Sequence, residues 1–199
     1  MPTNLVYSTN FTGFSGNLQT NDTWTLLGVN SATCDGVNVD IPGNGERTYK
    51  DGKTPSTADM YAQALCNNNG GDRLGVLIRA VDVNNWYWGY YNKSTGYWTI
   101  DQNNGGTITN LAQVFEGGQP ASMVLKLEVN TGQGLTLYKD GVSKLTATGT
   151  RSGTSGSGGL YGIDASGSSW DDYALYDSGG GLSIPTAMYH YNRHIGSGV

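Results

Sequence analysis

Two cysteines, three glutamates and two histidines among 199 residues are the first facts of this chain, and each scarcity closes off a class of protein. Cys34 and Cys66 are too few for a disulfide framework and lack the C-x-x-C spacing of a zinc site. They are expected to be two separate buried thiols, with a single disulfide as the alternative. Glu46, Glu116 and Glu128 stand far apart, and none has a second acid two residues away. Glycoside hydrolysis needs two carboxyl groups flanking the scissile bond, so catalysis is not expected. His190 and His194 are four apart, but Tyr191 stands where H-E-x-x-H requires Glu, which leaves them as surface histidines. Neither a G-x-S-x-G elbow nor a phosphate-binding glycine loop occurs.

Basic residues are also few. Eleven Lys and Arg face sixteen Asp and Glu, for a formal charge of −5, and they are scattered singly. Without a basic stripe to neutralise phosphates, nucleic acid is not an expected partner. No apolar run approaches the roughly 20 residues that span a bilayer, and MPTNLVYSTN lacks the basic and apolar regions of a secretory signal. The sequence therefore predicts a soluble protein with no membrane insertion and no N-terminal export signal.

What is abundant is the material of short strands and tight turns: 31 Gly, 13 Tyr and many Asn, Ser and Thr. The expected class is all-β, as one domain over residues 1–178. Gly179, Gly180 and Gly181 mark its edge, and 179–199 is a hinge and tail whose Ile184, Met188, Tyr189, Tyr191 and Ile195 would dock on a neighbouring subunit. Residues 59–66 alternate as a central strand does, and 74–81 are apolar on both faces apart from Arg79, which would need Asp82 or another carboxylate as partner. Residues 123–129 form the clearest one-sided strand. Lys139, Asp140 and Gly141 join 135–138 to 142–147 in a hairpin, with a longer turn or a bulge at Gly141 expected. Residues 148–159, rich in Gly, Ser and Thr, are predicted as a surface loop.

The stretch 73–98 concentrates the aromatics. Along 86–91, Trp86, Trp88 and Tyr90 share one face and Tyr87 and Tyr91 the other. The first set is predicted to be core, and the second, with Tyr97, to be more exposed. Tyr and Trp hold sugar rings by stacking, with amides and carboxylates supplying hydrogen bonds, so Tyr87, Tyr91, Asn92, Tyr97 and Asp101 are the candidate glycan-binding residues.

The succession GVLIRAVDVNNWYWGYYN, MVLKLEVNTGQGLTLYKDGVSKLTA and GGLYGIDASGSSWDDYALYD resembles the concanavalin A-like lectin/glucanase superfamily, in particular its LamG-like jelly rolls. The resemblance covers about residues 11–177 and rests on ordered pattern. It implies an antiparallel two-sheet jelly-roll β-sandwich. It also implies a calcium ligand on the closing strand, where Asp171 and Asp172 stand, although no D-x-[DN]-x-[DN]-G loop accompanies them. Capping of a turn, or pairing with Arg79, is the preferred role of the two acids. The Gly/Ser/Asn/Tyr-rich texture and the tail look like those of a bacteriophage virion surface protein. The expectation is a non-catalytic structural or adhesion module, a capsid decoration, head fibre or tail adhesin. Its partners would be other virion proteins or its own copies, with a homotrimer favoured, and cell-surface glycans. A free extracellular lectin or carbohydrate-binding module is the alternative, and a glucanase-like hydrolase the third reading.

Overall fold

The computed structural model describes residues 4–177 except 29, 44, 70, 71, 119, 120, 152 and 154, and gives no side chain for residue 47. The docking residues Ile184 to Ile195, the glycine hinge and both histidines lie outside the described residues.

Among the described residues sixteen strands follow one another, with a single 3-10 turn at Leu18–Thr20. They are β1 (Asn4–Thr9), β2 (Gly16–Asn17), β3 (Thr25–Leu26), β4 (Thr33–Cys34), β5 (Val39–Asp40), β6 (Glu46–Lys50), β7 (Met60–Asn67) and β8 (Arg73–Asp82). Then come β9 (Asn85–Asn92), β10 (Tyr97–Asn104), β11 (Thr107–Phe115), β12 (Ser122–Val129), β13 (Gly134–Lys139), β14 (Val142–Thr148), β15 (Ser157–Ile163) and β16 (Ser169–Asp177). One sheet runs β14-β13-β12-β7-β16-β5-β4-β2, with β1 also on β16, and the other runs β11-β10-β9-β8-β15-β6-β3. Every pairing is antiparallel.

The period of two decides what lies between the sheets. From the first sheet Ala62, Ala64, Leu125, Leu127, Val129, Leu135, Leu137, Tyr173 and Leu175 face inward. They meet Leu74, Val76, Ile78, Tyr87, Tyr91, Trp98, Ile100 and Leu160 of the second. The alternation of 123–129 and the central place of β7 are as the sequence implies, and β8 to β11 form the expected meander.

Three local expectations need correction. Lys139 pairs with Val142 across a strict two-residue turn, because Asp140 and Gly141 both take positive φ, 47° and 80°, as a type I′ turn requires. The irregularity sits instead between Leu137 and Tyr138, leaving Lys144 unpaired so that Leu137 meets Leu145. Arg79, at a break in the pairing of β8 with β9, has φ 49° and turns inward; Nη2 donates to the carbonyls of Ala58 (2.8 Å) and Asn130 (3.0 Å) rather than to any carboxylate. The run 148–159 is not all surface loop. Gly149 and Arg151 are buried, and Ser157, Gly158 and Gly159 open β15, which lies between β8 and β6. Glycine is required there by crowding: a Cβ at Gly158 would come 2.1 Å from the Tyr173 hydroxyl, and one at Gly159 2.0 Å from the Tyr49 carbonyl oxygen. Lack of large side chains reads as a loop in sequence, but here it is what a close approach between strands demands.

Candidate glycan-binding groove

The outer face of the seven-stranded sheet carries the chemistry. Trp86, Trp88, Tyr90 and Tyr161 lie on it, opposite the side that packs against the other sheet, and still reach near-complete burial because Leu27 and Ile163 pack over them. Trp86 and Trp88 stack with centroids 4.4 Å apart, and Trp88 lies 3.7 Å from Tyr161. This small second core is a wall rather than an open stacking platform.

Beside the wall opens a groove of about 510 Å³. Its floor and sides come from Arg73 of β8, Tyr90 and Asn92 of β9, Tyr97, Thr99 and Asp101 of β10, and Ile108, Asn110 and Gln113 of β11, with Thr95 from the intervening turn. Strand register explains the gathering. Tyr97 pairs with Asn92, Thr99 with Tyr90 and Asp101 with Trp88, so alternate residues of β9 and β10 project to the same side.

Asp101 anchors the site. Its Oδ2 accepts the Trp88 indole N–H at 2.9 Å and the Tyr90 hydroxyl at 3.0 Å, and its Oδ1 accepts the Asn110 amide at 2.7 Å. Burial raises its pKa from the ordinary carboxylate value, and these three donors oppose the rise. Burial, with the carboxylate close by, likewise raises the Tyr90 phenol. Asn92 Oδ1 accepts from Ser94 Oγ and from the Thr95 amide, which fixes the turn at the groove's end. Tyr97 is half-buried and meets Phe115 edge-on at 5.5 Å, while Ile108 and Phe115 are open to solvent. The groove thus offers one partly open aromatic ring, an apolar rim and a row of amide, hydroxyl, carboxylate and guanidinium groups.

Of the five residues singled out from sequence, Asn92, Tyr97 and Asp101 come together here. Tyr87 and Tyr91 do not. They lie 0% and 3% exposed in the core between the sheets, and the face expected to be core, with Trp86, Trp88 and Tyr90, is the outer one. The physical reason is register: Trp98 pairs with Tyr91, so the apolar parity of β10, Trp98 and Ile100, carries Tyr91 and Tyr87 inward with it. Arg73, Tyr90, Asn110 and Gln113 were missed. The alternation of polar Thr99 and Asp101 against Trp98 and Ile100, carried across the hairpin, is the signal that finds Tyr90.

Asp171 and Asp172 lie at a register shift of β16. Asp171 Oδ1 accepts the backbone N–H of Asp172 at 2.7 Å within this irregularity, and burial pushes its pKa up to about 6. Asp172, at φ 47°, faces a cleft of about 320 Å³ with Ser8, Thr9, Asn10 and Tyr173. Among the described residues no group of three or more His, Cys, Asp or Glu is placed to hold a metal ion. Both cysteines are free and buried.

No family model matches the chain, and no curated protein does. Solved structures do match. The carbohydrate-binding module CBM66 from Bacillus subtilis aligns with a TM-score of 0.63 at 17% identity over 77% of this chain and 94% of its own. The carbohydrate recognition domain of Emp46p, which has been solved in metal-free and potassium-bound forms, aligns at TM-score 0.60 and 15% identity over 89% and 99%. The GH43 protein BlXynB from Bacillus licheniformis aligns at TM-score 0.55 and 14% identity, with 77% of this chain matched to 36% of that one. At these identities the likeness is one of fold, and the fold is the antiparallel jelly-roll β-sandwich of lectins and carbohydrate-binding modules.

Proposed function

We propose that the chain is a non-catalytic carbohydrate-binding domain that holds a glycan in the groove around Asp101. The observation that carries the reading is the groove itself: a ring edge at Tyr97, an apolar rim and convergent polar groups on one sheet face are the two halves of sugar recognition. The neighbours bearing carbohydrate-binding names support it. Among the described residues Asp101 is the one carboxylate lining the groove, whereas hydrolysis of a glycosidic bond needs two carboxyl groups flanking it. A calcium ion, were it used, would need ligands beyond Asp171 and Asp172.

A glycan array followed by calorimetry on the best ligand tests this. Tyr97→Ala and Asn110→Ala should each weaken binding about tenfold or more, the scale of one lost ring contact or one lost hydrogen bond in a desolvated site. Absence of any glycan ligand, or affinity untouched by both changes, would refute the proposal. The setting on a virion surface, with 182–195 docking on a neighbouring subunit, rests on composition and on residues outside the described ones. Deleting 181–199 and measuring assembly tests it separately.

A further inference from the structure

At the opposite end of β9 and β10 from the Asn92–Tyr97 turn lies a smaller pocket of about 170 Å³, lined by Val81, Asn85, Asn104, Arg151 and Gly153. Its Arg151 is only 3% exposed, and Arg79, at 0%, is close enough to be felt electrostatically. Among the described residues neither guanidinium forms an ion pair. Arg151 spends its hydrogen bonds sparingly: Nη2 reaches the Ser155 carbonyl at a long 3.4 Å, and Nη1 has no partner. Arg79 likewise leaves Nε and Nη1 without partners. Two buried cations with unused donors are a costly arrangement in a chain whose overall charge is −5, and a bound anion would offset that cost.

The surroundings favour an anion. Lys50 Nζ donates to the backbone carbonyl of the lining residue Val81 at 2.9 Å, which brings a third cation to that residue. Asp82, the nearby acid, is exposed and already holds the backbone N–H of Asn84 and the amide of Asn85. Gly153 has no side chain over the guanidinium; a Cβ there would sit 3.4 Å from Nη2. Burial draws the pKa of both arginines down from their ordinary value, and Arg79 adds to the effect at Arg151; Tyr87 with Asp82 at Arg151, and Tyr87 with Asp59 at Arg79, oppose the fall without cancelling it.

We infer that this pocket is a second binding site, distinct from the groove, that takes one oxyanion, a sulfate or carboxylate group, on the guanidinium of Arg151. Arginine suits such groups because its planar fork matches their oxygen spacing. The group could arrive as a free inorganic anion or as the acidic substituent of a sugar, and these sources are separable. The test is calorimetric titration of the full chain with sodium sulfate, sodium glucuronate and glucose at ionic strength matched with sodium chloride. Saturable binding of sulfate and glucuronate, but not of glucose, supports a general oxyanion site; binding of glucuronate alone supports an acidic-sugar site. Arg151→Gln should abolish it. Asn104→Asp, an exposed change that leaves the core untouched, should weaken it about tenfold by placing a like charge at the rim. No saturable binding of either anion, or binding that persists unchanged in Asn104→Asp and in an Arg151→Gln protein with a cooperative unfolding transition, would overturn the inference. Neither outcome depends on whether the Asp101 groove binds a glycan.

Discussion

Asp51 is the carboxylate whose replacement would report most directly on how this sandwich is held together. It follows β6, is fully buried, and accepts from the Tyr173 hydroxyl at 2.6 Å through Oδ2 and from the Lys53 amide at 2.9 Å through Oδ1. Its backbone joins β15 through the Gly158 carbonyl at 3.1 Å, and its own carbonyl accepts the Thr23 hydroxyl. Burial outweighs these donors and lifts its pKa from 3.8 to about 7. The folded state therefore binds a proton that the unfolded state releases, and stability rises as pH falls through 7 towards 3.8. The contribution is complete below 3.8 and gone above 7. At 1.36 kcal/mol per pH unit, the gain between about pH 8 and about pH 5 is roughly 2.5 kcal/mol. Asp51→Asn should remove that share, since the amide can donate to the Tyr173 oxygen while its carbonyl keeps the Lys53 N–H. A smaller slope of the same sign should remain from Asp171, half-buried and raised to about 6. Urea unfolding followed by tryptophan fluorescence at steps across this range reads both slopes. Identical slopes in the wild type and Asp51→Asn would refute the assignment of the proton to Asp51.

Two further outcomes are expected. A Cβ at Gly75 would meet the Gly89 carbonyl oxygen at 2.1 Å and the Tyr90 Cα at 2.7 Å, all of it backbone that cannot swing aside. Gly75→Ala should thus cost about 3 kcal/mol or more, measured by denaturant midpoint, where a surface Gly→Ala change is near neutral. Cys34 and Cys66 should resist a thiol reagent until the protein unfolds, because burial pushes the Cys34 thiol up to about 11 and raises Cys66 as well. Intact mass should be unchanged by reductant, and a gain of two hydrogens would show a disulfide that the free thiols exclude.

The architecture was legible because strands with one buried face announce themselves by parity. Met123, Leu125, Leu127 and Val129 alternate with polar neighbours, and that parity is the one that packs inward. The site was legible only in part, because β9 has no polar parity to read. Trp86, Trp88 and Tyr90 on one side and Tyr87 and Tyr91 on the other are all apolar enough to be core, and both sets are in fact buried, one between the sheets and one beneath Leu27 and Ile163. Sequence alternation within such a strand carries no sign. The sign comes from its partner: β10 has Thr99 and Asp101 on one face and Trp98 and Ile100 on the other, and the pairing of Tyr97 with Asn92 transfers that distinction across the hairpin. The same reasoning accounts for β15. Its glycines carry no hydrophobic signature because the neighbouring strands and Tyr173 fill the space that side chains would need. A stretch read as a flexible loop thus ends in a strand between β8 and β6, and its preceding residues bring Arg151 to a buried position that no local pattern marks. What escapes the sequence in this protein is therefore specific: residues whose environment is set by the strand beside them rather than by their own neighbours in the chain. Both proposed binding sites are built from just such residues.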